Sequence, residues 1–308
     1  MADLPLILLH AYPFDARMWD PVRRPLAQRL RLITPDQRGL GRTPLPETDR
    51  EPSLEDAALD VLALLDKLEL DRVVLGGCSM GGYLTMALLR MVPDRVAGLV
   101  LINTKASADT PEAARNRLTT AERAESDGIK GWLADSMVPN LLAPQAPAPL
   151  AEAVRDLIES QPPSGVAWAL RAMAARPDSF DILSATRVPT LVVVGEEDTL
   201  TPPDAAQAMV DAMPTTVPTT VPNAVPNAVP TTVPNAVPNA MAGPGSAARS
   251  VTSAVAGSAA RDRDTPGETA DAVPAAELVR IPGAGHLSPL EAPAALSSAI
   301  LSWWSRVW

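Results

Sequence analysis

Short apolar runs alternate with longer segments of helical spacing over the first hundred positions. Leu6-Ile-Leu-Leu and Val96–Ile102 read as buried strands, Leu32-Ile-Thr as a second short strand and the run from Val73 as a further strand, bounded by Gly, Pro or charged residues. Between the first two, Met18 through Leu30 looks helical. From Leu54 to Leu68 the apolar residues Leu54, Ala58, Val61, Leu62, Leu65 and Leu68 share one face, with Ser53 as N-cap and Asp56 in the first turn. Strand and helix in this alternation predict an α/β fold, a mostly parallel central sheet with helices on both faces.

The alternation stops after Asn103. Up to Val188 the chain is Ala-, Glu- and Arg-rich with helical spacing, punctuated by Pro139, Pro144, Pro147, Pro149 and Pro162-Pro163, which reads as an inserted helical cap over 104–187. Thr190-Leu-Val-Val-Val resumes the sheet, and a helix is expected from Ala205 to Met213. The core is therefore expected in three pieces, 1–103, 188–213 and 275–308.

From Thr215 the tetrads TTVP, TTVP, NAVP, NAVP, TTVP and NAVP follow one another, and Ala-, Ser-, Gly- and Arg-rich sequence continues to about Pro274. Proline at every fourth position forbids both a helix and a central strand, so 214–274 reads as an extended, disordered, low-complexity insertion. The period is too short for a solenoid unit. Either it is a tolerated loop expansion or it is an interaction arm. Glu277–Ile281 is the expected last strand, and a C-terminal helix from Ala292 to about Ser305 brings Trp303, Trp304 and Trp308 to the core as packing residues.

Composition narrows the chemistry. The chain has 308 residues, of which 46% are hydrophobic but only 3% aromatic, so core and pockets are aliphatic. A formal net charge of -10 without clustered Lys or Arg speaks against a nucleic-acid partner. Cys78 is the only cysteine, which excludes an intrachain disulfide or a cysteine metal cluster and fits a reducing compartment. No signal-peptide pattern and no apolar run near the ~20 residues of a membrane span is present, so the expectation is a cytoplasmic protein without membrane association. No dinucleotide or phosphate loop in convincing context appears, and neither cofactor nor metal is expected.

Val73 to Leu84, VVLGGCSMGGYL, carries the clearest chemistry. Gly77-Cys-Ser-Met-Gly81 fits G-x-S-x-G between a strand and a helix, the tight turn that exposes a serine at a helix N-terminus, where the N–H of Met80 can face a developing oxyanion. A serine hydroxyl needs a histidine to take its proton and a carboxylate to orient that histidine. There are two histidines, His10 and His286, and each follows a predicted strand. For the carboxylate, Asp198 follows the strand ending at Val194, with Glu196 and Glu197 as competitors. Asp198 is favoured because Thr201-Pro-Pro203 would start the next helix and close the loop around it.

Taken together, LLHAYPFDARMW at 8–19, DQRGLGRT at 36–43, GGCSMGGY at 76–83, VVVGEEDTLTPP at 192–203 and IPGAGHLSPLEAP at 281–293 resemble α/β-hydrolase-fold serine hydrolases. Within that fold the chain is most similar to small bacterial esterases and enol-lactonases. The resemblance implies Ser79 as nucleophile, Asp198 as acid and His286 as base, with an oxyanion hole from the backbone N–H of Tyr12 and Met80. It also implies that His10 orders the oxyanion loop and that Asp36 and Arg38 tie loops together. Two departures stand out: Ala11 occupies a position where the family commonly has glycine, and the tetrad segment separates Asp198 from His286. Closing so long a loop costs only on the order of 1 kcal/mol more than a short one, too little to undo the fold.

The expected activity is hydrolysis of a small carboxylic ester or lactone through an acyl-enzyme. C–C bond hydrolysis and perhydrolysis use the same three side chains in related families, and a non-catalytic binding protein on the same fold is the alternative of another class. Arg117, Arg171 and Arg176 in the cap could meet a substrate carboxylate or simply be solvated. Trp132, Met137, Trp168 and Met173 could line a pocket, with core packing preferred. Oligomeric state is left open.

Overall fold

The computed structural model describes residues 4–218 and 272–308. Eight strands occur among them: β1 (Leu6–Leu9), β2 (Leu32–Ile33), β3 (Val73–Cys78), β4 (Val96–Ile102), β5 (Thr190–Gly195), β6 (Thr216–Pro218), β7 (Ala272–Pro274) and β8 (Ala276–Ile281). Six form one sheet in the order β2-β1-β3-β4-β5-β8, and every neighbouring pair is parallel. The strands β1, β3, β4 and β5 are buried along their whole length, which is why they appear as unbroken apolar runs. Such a sheet needs both faces covered.

The helices are α1 (Asp20–Ala27), α2 (Leu54–Lys67), α3 (Met80–Met91), α4 (Pro111–Asp127), α5 (Trp132–Leu141), α6 (Ala148–Glu159), α7 (Pro163–Ala174), α8 (Phe180–Ala185), α9 (Pro203–Ala212), α10 (Ser288–Glu291) and α11 (Pro293–Val307). One layer packs through α2, α3, α8 and α9, another through α1, α10 and α11, and both touch the sheet. Ser53 caps α2 by accepting the N–H of Asp56 at 3.2 Å. Trp303 is buried and meets Trp304 edge to face at 6.4 Å, the packing role that its place on an amphipathic helix implies. This is the α/β-hydrolase fold.

The five helices α4 to α8 fill the interval between β4 and β5. They are joined to the loop after β2 at close quarters. Gly165 of α7 meets Gly39 backbone to backbone, so a Cβ on Gly165 would stand 1.7 Å from the Gly39 carbonyl oxygen. Beside this contact Gln161 accepts the N–H of Gly41 at 2.9 Å and donates to Asp15 at 2.8 Å, and the Arg38 guanidinium lies 5.6 Å above the Trp168 ring.

The tetrad segment beyond Pro218 lies outside the described residues, but its two roots do not. Thr216–Pro218 pairs antiparallel with Ala272–Pro274, apart from the main sheet, so the start of the first tetrad is strand and not free extended chain. The ribbon continues into the core where Ala275 donates to the Thr215 carbonyl and Thr190 donates to that of Ala275. It is therefore anchored at the amino end of β5 and β8. Replacing 219–271 by a two-residue Asn-Gly turn would join Pro218 to Ala272 as an ordinary hairpin. The shortened protein is expected to keep its thermal midpoint within about 2–4 °C, the shift that ~1 kcal/mol produces in a chain of this size. Loss of cooperative unfolding in calorimetry would show that the core needs the deleted residues.

Candidate active site

Ser79 sits between β3 and α3 with φ 53° and ψ -112°, a conformation that costs an L-residue on the order of 1–3 kcal/mol. The turn is possible only with small neighbours: a Cβ on Gly77 would lie 2.1 Å from the backbone of Gly81, and one on Gly81 would lie 2.0 Å from the Leu9 carbonyl oxygen. Hydrogen bonds hold the strained residue on both sides. Its N–H donates to Ile102, and its carbonyl accepts from the N–H groups of Gly82 and Tyr83 and from the Thr104 hydroxyl at 2.8 Å.

Asp198 and His286, far apart in sequence, meet above the ends of β5 and β8. His286 Nδ1 is 3.0 Å and 2.9 Å from the two carboxylate oxygens, and both side chains are almost fully buried. The carboxylate also accepts from the N–H groups of Leu200 and Thr201, the Thr201 hydroxyl at 2.7 Å and the Asn103 amide at 2.8 Å. Burial alone would raise the Asp198 pKa, but the bonds from His286, Thr201 and Asn103 outweigh it and hold the carboxyl below its ordinary value. Thr201-Pro-Pro203 closes this loop and starts α9, as its sequence suggests. Glu196 and Glu197 are exposed and take no part.

Two backbone N–H groups are open at the same rim. Met80 is the first residue of α3, and Tyr12 follows β1; among the described residues neither N–H has a hydrogen-bond acceptor. The loop carrying Tyr12 is held by His10, which is fully buried. Its Nε2 accepts the Gln37 N–H at 2.9 Å, so its Nδ1 carries the proton and donates to the Ala11 carbonyl at 3.0 Å. Both ring nitrogens are thus committed to backbone. Ala11 is not among the non-glycine residues with positive φ, which are Glu69, Ser79 and Asn103 among the described residues, so this loop follows its path without a glycine.

Several contributors lack any motif that would announce them. Asn103, at φ 45° after β4, donates to Asp198 and to the Gly285 carbonyl while accepting from Ser288 at 2.5 Å. Its only signal is a polar residue closing the apolar run Val96–Ile102. Asp36 accepts the N–H groups of Ala16 and Arg42, and Arg38 pairs with Asp60 at 2.6 Å, so both tie loops together. The arginines have partners of their own: Arg117 and Arg176 share the buried Asp109, at 2.5 Å and 2.9 Å, and Arg171 grips Glu125 at the surface. Trp168 and Met173 are buried in the core cluster and Trp132 and Met137 pack against it. Burial raises the pKa of the Cys78 thiol, reinforced by the charges of Asp198 and Glu291, so it is a packed thiol and not a thiolate. Among the described residues no three His, Cys, Asp or Glu side chains are grouped to hold a metal ion, and no helix is long and apolar enough to cross a membrane.

A parallel sheet with a strained serine between β3 and α3, and an acid and a histidine beyond two later strands, defines a hydrolase fold. The alpha/beta hydrolase family model matches residues 6–224, and the chain belongs to that family; it is a hydrolase. It is 33% identical to a thermophilic esterase from Thermogutta terrifontis, solved with malate bound, with a TM-score of 0.76 over 99% of this chain and 90% of that one. It is 31% identical over 192 residues, 60% of this chain and 71% of the relative, to the provisionally named carbamate hydrolase RutD of Rhizobium rhizogenes. It is 27% identical over 195 residues, 61% of this chain and 68% of the relative, to 3-oxoadipate enol-lactonase 1 of Acinetobacter baylyi.

The His10 arrangement has a thermodynamic signature. Burial depresses its pKa below the ordinary 6.5, against the opposing pull of the Ala11 carbonyl and the Asp15 and Asp36 charges. Below about pH 6.5 the unfolded chain therefore binds a proton that the folded protein refuses, and stability falls as pH falls. His10→Asn is expected to flatten the fall in thermal midpoint between about pH 7 and about pH 5. An unchanged slope would mean that His10 is not held neutral.

Proposed function

We propose that the protein is a serine hydrolase that cleaves a small carboxylic ester or lactone through an acyl-enzyme on Ser79. What supports the reading is the buried Asp198–His286 pair together with the strained Ser79, whose neighbour Cys78 brings its Sγ to 3.8 Å from the His286 carbonyl, and the N–H groups of Tyr12 and Met80 without a hydrogen-bond acceptor among the described residues. His286 takes the hydroxyl proton as the oxygen of Ser79 attacks the ester carbonyl, and the resulting oxyanion is held by the two N–H groups. Collapse expels the alcohol, or opens the lactone, with a proton returned from His286. Water, deprotonated by the same imidazole, then releases the acid. Asp198 keeps the Nδ1–H tautomer and stabilises the imidazolium.

The helices α4 to α8 would serve as a cap, and the aliphatic composition of the chain suits a small apolar acyl or alcohol group. Similarity to an esterase and to an enol-lactonase supports the ester or lactone as substrate. The similarity to RutD raises a second reading, a carbamate, whose carbonyl can be attacked by the same groups. C–C bond cleavage and perhydrolysis also share this machinery, and a panel of esters, lactones, carbamates and diketones separates them.

Ser79→Ala is expected to abolish both the burst with an activated ester and labelling by a fluorophosphonate. Asp198→Asn should lower kcat by about 10³–10⁴-fold, because an amide in that place favours the wrong tautomer of His286. Full turnover in Ser79→Ala would exclude the acyl-enzyme.

A further inference from the structure

The Nδ1–H that His286 donates to the Asp198 carboxylate orients its ring, but it does not fix where its Cα–Cβ bond starts. That depends on the turn from Gly283 to Leu287, which holds two of its first three residues as glycine and has Gly283 at φ 69°. Left to itself such a segment samples many conformations. A single carboxylate holds it. Glu291, the last residue of α10, accepts the N–H of Gly285 at 3.0 Å and of Leu287 at 3.1 Å through one oxygen, and the N–H of Ala143 at 2.7 Å through the other.

These bonds pin the peptide planes on both sides of the histidine. The end of α5 and the stretch after it complete the clasp: His286 donates its own N–H to the Leu141 carbonyl at 3.0 Å, and Gln145 donates to that of Gly283 at 2.9 Å. The approach leaves no room for a side chain, since a Cβ on Gly285 would stand 2.6 Å from the Ala143 nitrogen. We infer that Glu291 is the positioning residue for His286, and that by bridging the histidine turn to Ala143 it makes the reach of the base depend on the segment between α5 and α6. This rests on the reading of His286 as the base. Glu291 touches no reacting atom, and its effect passes entirely through the backbone that carries the imidazole.

The test uses the full-length protein with Glu291→Ala, Glu291→Asp and Glu291→Gln, each checked for folding by thermal midpoint and near-UV circular dichroism. Glu291→Ala should lower kcat by about 10²-fold, the scale of a misplacement near 1 Å, with little change in KM. The rate of Ser79 phosphonylation by a fluorophosphonate, which needs the base but no particular substrate, should fall in parallel. Glu291→Asp, which retracts the carboxylate by one methylene, should lose activity in the same two readouts. Glu291→Gln keeps an amide oxygen that accepts from Gly285 and Leu287 but turns an NH2 toward the Ala143 N–H, so its kcat should fall between that of the parent and that of Glu291→Ala.

If Glu291→Ala fails to fold, Glu291→Asp decides. Parental kcat and phosphonylation rate in whichever folded variant decides would overturn the inference. So would a loss in which KM rises and Glu291→Gln is as impaired as Glu291→Ala, the mark of a merely structural residue. Ser79→Ala measured alongside keeps the two questions apart: activity there removes the serine mechanism, whereas an inactive Ser79→Ala with unaffected Glu291 variants removes only the role of Glu291.

Discussion

A buried carboxylate is tolerable only when its charge is fully met, and Asp198 is the point at which this chain has to meet that condition. Five donors from three separate stretches converge on it: the imidazole of His286, the two N–H groups and the hydroxyl that follow in its own loop, and the Asn103 amide. The imidazole and the Asn103 amide reach it because β4, β5 and β8 end close to one another. The parallel register does this, with Ile102 opposite Val193 and Gly195 opposite Ile281. Satisfying one anion thus fixes the relative height of three strands and gathers the loops that follow them.

The strain at this rim is carried by the same sheet. Ser79 and Asn103 both have positive φ, and both continue the ladder one residue past their strands, Ser79 donating to Ile102 and Asn103 to Val193. Glu196 does likewise toward Ile281. A backbone held by cross-strand bonds on its amino side can be forced into an unfavourable turn immediately afterward, since release of the strain would break the ladder. The side chains that emerge there are therefore presented by rigid backbone and not by mobile loop.

The parts of this design that follow a period or a motif were legible in the sequence. β1, β3, β4 and β5 are buried on both faces and so appear as continuous apolar runs, and Gly77 and Gly81 mark the turn because nothing larger fits. Asp198 could be preferred over Glu196 and Glu197 from the prolines that start α9. Asn103 and Glu291 could not be found this way: each is one polar residue whose partners come from distant stretches, and no local pattern records them. The ribbon is not legible in the sequence for a different reason. Proline argues against a central strand, but a two-stranded ribbon leaves one edge of each strand unpaired, where proline removes no needed donor.

The ribbon also explains how Asp198 and His286 can be separated by so long a stretch of chain and still meet. β5 and β8 enter side by side because Thr190 and Ala275 are bonded at their amino ends, next to the paired Thr216–Pro218 and Ala272–Pro274. From that anchor each strand runs six residues, roughly 20 Å, before the loops that carry the acid and the base. The register between the two strands is therefore set by bonds close to the entry point, whatever number of residues lies between Pro218 and Ala272. Loop length enters only as a slowly growing closure entropy, while the geometry at the far end of the sheet is fixed by hydrogen bonds that do not change with it.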